Sequence, residues 1–511
     1  MMKMRNQKPE HRNPKIKSSH QLLSALIFVC ATLSQTVCTA DVYYVDRNSL
    51  GGPCSDSNPG TLTQPWCTIK RASSGLQPGD IVYIREGTYE EKWIYITHSG
   101  SEGKTIRYAG FPEEEVILAG NQGGGFYLTG VSYIQIDNLL IDGQFSQHTG
   151  IYLDEGSHHI VLRNLEIKNI RHPTKNGGIG IWIDKEGASD ISIENVKLHD
   201  VSVYDPYLQS GSGIVVAKGN RIKIRNCEIS DINLEDAIHL GHVGPVKDVL
   251  IENCRMWHNK EDAIDMKNVT NVTVRNCIAY NHKKTPTGGG SGVVVHIGAQ
   301  NVLIDNSTFF DNDRGVAIVF GSGVIATSNI TVQRSVFYDN REAGIFVGDR
   351  TENMVKNVRI YNNVIFENVA DGLYVYASAE PVIIKNNIFW KNKNRDVVFH
   401  SFLKLLNLES DYNMYPDSGK IYSSGRVIDL REMQSRTNQE QNSFVSDPMF
   451  IDPSGHNFGL KSGSPAIDKG IDVGIPYTGG APDVGAYEYP FSGDDIVDFM
   501  DFATPAEKWP G

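Results

Sequence analysis

Residues 222–232 read IKIRNCEISDI, residues 250–259 read LIENCRMWHN, and residues 273–282 read TVRNCIAYNH. Seven further stretches repeat this alternation of apolar and polar residues, so that ten copies follow one another at spacings of 23 to 31 residues. Alternation of period two is typical of β-strands, and regularly spaced copies indicate a repeat architecture. Asn fills the aligned position in nine copies and Arg in one; these residues are Asn138, Asn164, Asn195, Asn226, Asn253, Asn276, Asn306, Arg334, Asn362 and Asn386.

A second short strand follows most copies, after a Gly or an Ala. These strands are GIYL (150–153), GIWI (180–183), GIVV (213–216), AIHL (237–240), AIDM (263–266), GVVV (292–295), GIFV (344–347) and GLYV (372–375). Short strands without intervening helices predict an all-β, right-handed parallel β-helix of about ten or more coils. Equivalent residues of adjacent coils then stack about 4.8 Å apart, so the aligned Asn residues form a side-chain ladder. Cys227, Cys254 and Cys277 each follow a ladder Asn, and we expect them to be stacked small hydrophobes.

The two ends of the chain depart from the coil pattern. Residues 1–40 carry a basic stretch, the apolar run LLSALIFVCATL and small residues, an order that predicts a secretory signal peptide; a single N-terminal anchor is the alternative. Residues 41–120 are predicted to form an N-terminal cap with a short helix and the first strands, 121–405 the β-helix, and 406–489 a loop-rich closing segment. The acidic tail, 490–511, resembles a degenerate half of a dockerin calcium loop.

The predicted export bears on the cysteines and on the charge. Cys54 and Cys67 bracket one turn-rich loop, so we expect them to form a disulfide in an oxidising secreted, periplasmic or cell-surface location. The formal net charge of -12 becomes -17 once residues 1–40, with six Lys or Arg and one Glu, are removed (-12 - 5). A chain this acidic has no general basic field for nucleic acid or another polyanion. A polyanionic substrate would therefore need a local positive charge, which a bound divalent cation supplies.

The sequence Glu-Asp-Ala-Ile occurs twice, about one coil apart, in INLEDAIHLG (232–241) and HNKEDAIDMKN (258–268). Alternate residues of a strand face the same way, so Asp265 and Lys267 should point away from the core. Crowded carboxylates repel one another unless a cation or a proton relieves them, and oxygen ligands at this density suit Ca²⁺. We therefore predict a Ca²⁺ site; its ligands are Asp236, Glu261, Asp262 and Asp265. The alternative is that these charges are merely solvated on the outside of the coils.

The opening YYVD, SDSNPGT and PWCTI, together with the coils, resembles the exported right-handed β-helix polysaccharide lyases, and in particular the family 9 pectate lyases. The resemblance implies a calcium site made by one Asp in one coil and by an acidic pair followed by x-x-Asp in the next. Asp236 and the Glu261, Asp262, Asp265 group match this motif, with Glu in place of the first Asp of the pair. The catalytic lysine of the family is missing, because Val294 stands at its place.

These observations lead to a functional hypothesis and two alternatives. The hypothesis is calcium-dependent β-elimination of an acidic, uronate-containing polysaccharide by a monomer, with His296 or Lys267 as the base. The residues expected to contact the sugar are His239, Trp182, Tyr152 and Asp184. The first alternative is a non-catalytic carbohydrate-binding or structural β-helix at a cell surface, which the missing lysine favours. The second is a glycoside hydrolase on the same fold, although the sequence lacks the Gly-His-Gly strand expected for it.

Overall fold

The computed structural model describes residues 40–490, apart from gaps at 121–122, 173–176, 204–210, 242, 284–288, 322–324, 350–353, 377–378 and 401–406. The predicted signal peptide and the predicted dockerin-like half loop therefore lie outside the described residues, except for Ala40 and Pro490. Within the described ranges, no helix has both the length and the apolar character needed to cross a membrane.

The strands stack in parallel, coil upon coil, in a 25-stranded sheet and a 14-stranded sheet. The first stack of the larger sheet comprises Val42–Val45, Ile81–Ile84, Ile106–Gly110, Ser132–Asp142, His158–Ile170, Ser189–Val201, Gly219–Arg225, Val246–Glu252, Val269–Arg275, Gln300–Asp305, Thr327–Gln333, Val355–Tyr361, Val382–Lys385 and Leu408–Asp411. Its second stack shares the three longest of these strands and adds Gly87–Tyr89, Val116–Ala119, Glu228–Ile232, Arg255–Trp257, Ile278–Tyr280, Thr308–Phe310, Val336–Tyr338, Val364–Phe366, Ile388–Trp390, Met414–Tyr415 and Phe444–Val445.

The 14-stranded sheet is the one that carries the predicted site, and we call it the site sheet. Its strands are Ile94–Ile96, Gly124–Thr129, Thr149–Asp154, Ile179–Ile183, Ile214–Val216, Ile238–Leu240, Ile264–Lys267, Ser291–His296, Arg314–Ile318, Ala343–Val347, Asp371–Tyr376, Arg395–His400, Ile421–Ser423 and the antiparallel Arg426–Ile428. The remaining elements are the helices Ile69–Ala72 and Leu430–Arg436, the 3-10 turn Pro453–Gly455 and the antiparallel pair Phe450–Asp452 and Asn457–Leu460. The predicted parallel β-helix is confirmed.

The ladder Asn residues bend the chain and bond from coil to coil. Each of Asn226, Asn253 and Asn276 has a positive φ, at 52°, 53° and 52°, a conformation that Asn tolerates better than most residues. The bend lets the apolar residues on both sides of the Asn turn into the same core. The side-chain amide of Asn253 donates to the amide oxygen of Asn226 at 3.1 Å, and that of Asn276 donates to Asn253 at 3.1 Å. The predicted ladder is therefore confirmed.

The parallel pairing begins upstream of residue 121, where the sequence pattern located the first coil. Val42–Val45 pairs with Ile81–Ile84, which pairs in turn with Ile106–Gly110. These coils lack the ladder Asn, so the repeat was not visible there. At the position next to Asn138 stands Gly110, where a Cβ atom would lie 2.0 Å from the Asn138 carbonyl oxygen. At the other end the pairing continues to Phe444–Val445.

Both cysteine predictions are confirmed. Cys54 and Cys67 form a disulfide in the loop that precedes helix Ile69–Ala72. Cys227, Cys254 and Cys277 are buried free cysteines in the continuous apolar core of the coils.

The closing segment packs against the outside of the coils. Phe450 and Phe458 cover Phe366, with ring centroids 6.4 and 5.0 Å away, and His456 stacks on Tyr338 at 4.3 Å. The Phe and Tyr residues among these belong to a second apolar cluster, distinct from the core inside the coils. Residues 450–458 of the segment therefore bury outward-facing aromatic side chains of the larger sheet.

Candidate functional site

Three adjacent strands of the site sheet bring the predicted residues together. In the registers of Ile238–Leu240, Ile264–Lys267 and Ser291–His296, His239 pairs with Asp265, which pairs with Val294. Two residues further along, Lys267 pairs with His296. Ile264 and Met266 are fully buried in the core, so Asp265 and Lys267 point away from it, as predicted.

The Asp of each Glu-Asp-Ala-Ile copy ties its coil to the next one. Asp236 accepts a hydrogen bond from the backbone N–H of Asp262 at 3.1 Å, and Asp262 accepts one from the backbone N–H of Ser291 at 2.5 Å. Both carboxylates are almost fully buried. The repetition of the motif is therefore partly structural, because each Asp accepts a hydrogen bond from a buried N–H group of the following coil.

Asp265 is the most heavily contacted carboxylate of the group. The Lys267 Nζ lies 2.5 Å from its Oδ2, and the His296 Nε2 lies 2.7 Å from its Oδ1. Burial raises the pKa of Asp265, but the hydrogen bond from His296 and the charge of Lys267 outweigh it and lower the pKa overall. Asp265 is therefore ionised, and its charge is compensated by side chains of its own and the next coil.

Asp236 and Asp262 are in the opposite electrostatic situation. Burial raises the pKa of both, and neighbouring carboxylates raise it further, those of Asp265 and Glu261 for Asp236 and those of Asp236 and Asp265 for Asp262. The His239 Nδ1 lies 2.9 Å from Asp236 Oδ2, and burial lowers the pKa of this imidazole. A neutral histidine bonded to Asp236 leaves the mutual repulsion of the carboxylates in place.

The structure brings together a set of possible metal ligands that overlaps with the predicted one. Ligand atoms of Asp236, His239 and Asp265 lie within 4.8 Å of one another. Glu261 is half-buried beside them, and Asp262 holds the Ser291 N–H. His239 was predicted as a sugar contact and not as a ligand, although its place three residues after Asp236 and opposite Asp265 was a signal for it.

Side chains of the protein itself compensate part of the charge of these carboxylates, in addition to the cation or proton considered from the sequence. Among the described residues, Asp265 is contacted by Lys267 and His296, and Asp236 is contacted by His239. Their positions depend on how side chains from three coils pack, which the sequence does not state.

The predicted sugar-contacting residues lie on the same sheet, toward the N-terminal coils. Tyr152 and Trp182 are in register and meet edge to face, with ring centroids 5.2 Å apart. The Tyr152 hydroxyl donates to Asp184 Oδ2 at 2.8 Å. Val215 stands between Trp182 and His239, so the aromatic pair begins two strands from the carboxylates, or about 10 Å. Trp182 is half-buried, whereas Tyr152 is 9% exposed and offers little surface.

Comparison with known proteins gives the family. The family described as "Pel9A-like, right handed beta helix region" matches residues 50–317, and a general right-handed β-helix family matches residues 321–401. An uncharacterised protein of Bacillus subtilis (strain 168), YwoF, is 30% identical over 151 residues, which are 27% of this chain and 31% of that protein. The chain thus matches about a third of the length of this relative.

Two solved structures are similar to the chain at low sequence identity. The pectate lyase Pel9A is 18% identical with a TM-score of 0.45, covering 89% of this chain and 97% of that one. An alginate lyase from Paenibacillus sp. str. FPU-7 is 15% identical with a TM-score of 0.43, covering 67% and 96%. Because the Pel9A-like family spans more than half of the residues, from the cap through the carboxylates to His296, the chain belongs to the Pel9A-like right-handed β-helix family.

Proposed function

We propose that this protein is a calcium-dependent lyase that cleaves a uronate-containing polysaccharide by β-elimination. The observation that supports the proposal is the convergence of Asp236, Asp265, His296 and Lys267 on one outward face of three adjacent coils. Buried ionisable groups gathered in this way are typical of functional sites. The Cys54–Cys67 disulfide agrees with the export that an extracellular substrate requires.

The residues present fit a calcium ion. Asp236 and Asp265 would supply carboxylate oxygens from neighbouring coils, and Glu261 and Asp262 lie beside them. The carboxylates raise the pKa of Asp236 and Asp262, which is the repulsion that a divalent cation relieves. Calcium, when bound, supplies the positive charge that holds a uronate carboxylate and acidifies the C–H group next to it.

Of the two candidate bases, His296 suits the task better. The pKa of Lys267 is raised, because the attraction of Asp265 outweighs the effect of burial, so Lys267 stays protonated at neutral pH. His296 directs Nε2 at Asp265, which leaves Nδ1 as the proton acceptor. Gly321 lies beside this nitrogen, and a Cβ atom there would be 2.9 Å from it, so any larger residue would crowd Nδ1.

The proposed β-elimination needs one proton acceptor and one proton donor, and His296 and Lys267 supply them. The His296 Nδ1 takes the proton from the carbon next to the uronate carboxylate, the electron pair forms the carbon–carbon double bond, and the glycosidic C–O bond breaks. The Lys267 ammonium group is held by Asp265, with Nζ 2.5 Å from Oδ2. It is the proposed acid that donates a proton to the leaving oxygen. Asp265 orients both side chains.

The test is the formation of unsaturated sugar, followed by ultraviolet absorbance, on a panel of uronate polysaccharides with and without chelator. His296→Ala should lower the rate about 10²- to 10⁴-fold, as expected for the loss of a general base. His258→Ala is the matched control, because His258 is an exposed histidine paired with Asp231 on another face. An active wild type with harmless His296→Ala and Lys267→Ala changes would refute the assigned roles. A wild type that binds calcium yet cleaves no polymer would refute the lyase itself.

A non-catalytic carbohydrate-binding role is the second candidate, and one observation favours it. Val294, in register with Asp265, fills the place where a catalytic lysine is expected, and it is only 9% exposed. A binding protein would retain polysaccharide on affinity electrophoresis and release neither unsaturated products nor reducing ends. New reducing ends without absorbance would instead indicate a glycoside hydrolase.

A further inference from the structure

The Asn ladder is interrupted at one coil. Asn276 accepts the side-chain amide of Asn306 at 3.0 Å, and the ladder resumes where Asn386 donates to Asn362 at 3.1 Å. Between them stands Arg334, whose guanidinium group binds both carboxylate oxygens of Asp305. An arginine cannot continue an amide ladder, so this position gives up the regular coil-to-coil bond.

A cavity of about 280 Å³ lies at this interruption. One wall is the ladder itself, with Asn306, Arg334 and Asn362, and the other wall is the closing segment, with Tyr477 and Glu488. Asn362 also donates to the Asp483 carbonyl oxygen at 2.9 Å, which fixes the closing segment against the ladder.

The closing-segment wall is held in shape by Glu488. Its carboxylate accepts the backbone N–H groups of Thr478 at 3.3 Å and Asp483 at 3.1 Å. Tyr477, 41% exposed, stands at the mouth of the cavity, and the buried Tyr487 contributes to its lining. The cavity therefore has amide, guanidinium and carboxylate groups on its rim and aromatic surface beside them.

This combination matches the chemistry of a sugar ring, which carries hydroxyl groups around its edge and apolar C–H groups on its face. Aromatic rings bury the apolar face, and a few placed polar groups fix the orientation, as in small-molecule sites generally. The volume of about 280 Å³ has room for one ring. Because Asn306 follows strand Gln300–Asp305 of the larger sheet, the core of the coils separates the cavity from Asp265 on the site sheet.

We propose that the cavity between Arg334 and Tyr477 binds a single sugar unit, at a place separate from the candidate catalytic site. Arg334, Asn306 and Glu488 bond the hydroxyl groups, and Tyr477 packs against the ring. The site anchors a chain end or a branch of a polysaccharide and does no chemistry. This proposal does not depend on the proposed lyase activity, since none of the cavity residues belongs to the candidate catalytic site.

The experiment is calorimetric titration of the full chain with galacturonic acid, glucuronic acid, galactose and glucose. Arg334→Asn introduces the residue that fills the equivalent place in nine other coils, and Tyr477→Ala changes an exposed side chain, so both variants should fold. Arg359→Asn, the same change on the next coil outside the cavity, is the matched control. Thermal unfolding checks the fold of each variant.

We expect the wild type to bind at least one of these sugars, and Arg334→Asn and Tyr477→Ala each to weaken binding about tenfold or more, while Arg359→Asn and His296→Ala leave it unchanged. A wild type that binds none of the four sugars would overturn the proposal. So would binding that survives both cavity variants, or binding that His296→Ala removes, since the sugar would then occupy the candidate catalytic site. Lyase activity can be present or absent in every one of these cases.

Discussion

His282 makes the stability of this protein depend on pH in a way that one substitution should remove. It is fully buried in an internal file of Asn side chains, where its Nδ1 lies 2.8 Å from Asn312 Oδ1 and its Nε2 lies 3.0 Å from Asn259 Nδ2. The Asn259 oxygen already accepts the N–H of Ile232 at 3.1 Å, so this amide cannot turn round to accept a proton. The neutral imidazole matches both partners, because Nδ1–H donates to Asn312 and Nε2 accepts from Asn259. In the imidazolium, Nε2–H would face the NH₂ group of Asn259, and two donors would oppose each other.

The magnitude follows from the pKa. Burial lowers the pKa of His282 from 6.5 to about 4. The unfolded state binds the proton more tightly than the folded state. The stability contributed by neutral His282 is therefore fully present above pH 6.5 and is lost as the pH falls toward 4. Linkage gives a loss of about 2 kcal/mol between pH 7.5 and pH 5, with a limit of about 3.4 kcal/mol at lower pH.

His282→Asn should remove this dependence. Asn occupies the equivalent place in the following coils, where the Asn340 amide donates to Asn368 and the Asn368 amide donates to Asn392, both at 2.9 Å. The variant should lose about 1 kcal/mol at pH 7.5 from the smaller side chain. At pH 5 it should be the more stable protein, by about 1 kcal/mol.

Urea unfolding of both proteins at pH 7.5 and pH 5, followed by tryptophan fluorescence, measures the difference. All other titrating groups are common to the two proteins, so they cancel. If the two unfolding free energies fall in parallel between these pH values, the imidazole is not buried in the neutral form and the reasoning fails.

Three further sets of variants test the fold. Replacing Cys54 and Cys67 with Ser should lower stability by about 3 kcal/mol, because the cysteines are 13 residues apart in an otherwise open loop; an unchanged thermal midpoint under non-reducing conditions would contradict this. Asn253→Ala should cost about 2 kcal/mol through the lost ladder bonds and the positive φ of 53°, and Asn253→Gly should recover the conformational part; equal urea midpoints of the two variants would disprove the conformational share. Asp137→Ala should cost about 3 kcal/mol or more, since the buried carboxylate accepts two bonds from Arg107 at 2.8 Å; a loss below about 1 kcal/mol, as for a surface ion pair, would count against it.

The sequence alone determined the features that are local and repeated. Ten aligned copies predicted the parallel coils, and the Asn at each bend predicted the ladder through Asn226, Asn253 and Asn276. The alternation of Ile264, Asp265, Met266 and Lys267 predicted which side chains leave the core. These predictions hold because a strand of period two fixes the side of each residue, and a regular coil length fixes its neighbours.

Only the tertiary structure decided what each outward side chain contacts. Asp262 accepts a hydrogen bond from the Ser291 N–H, and Lys267 and His296 point toward Asp265. The sequence places these residues in adjacent columns but leaves their rotamers open, because these depend on charges and packing contributed by three coils at once. The same holds for the closing segment: its sequence shows no coil pattern, and its place over the Asn ladder beside Arg334 follows from long-range burial that no local pattern encodes.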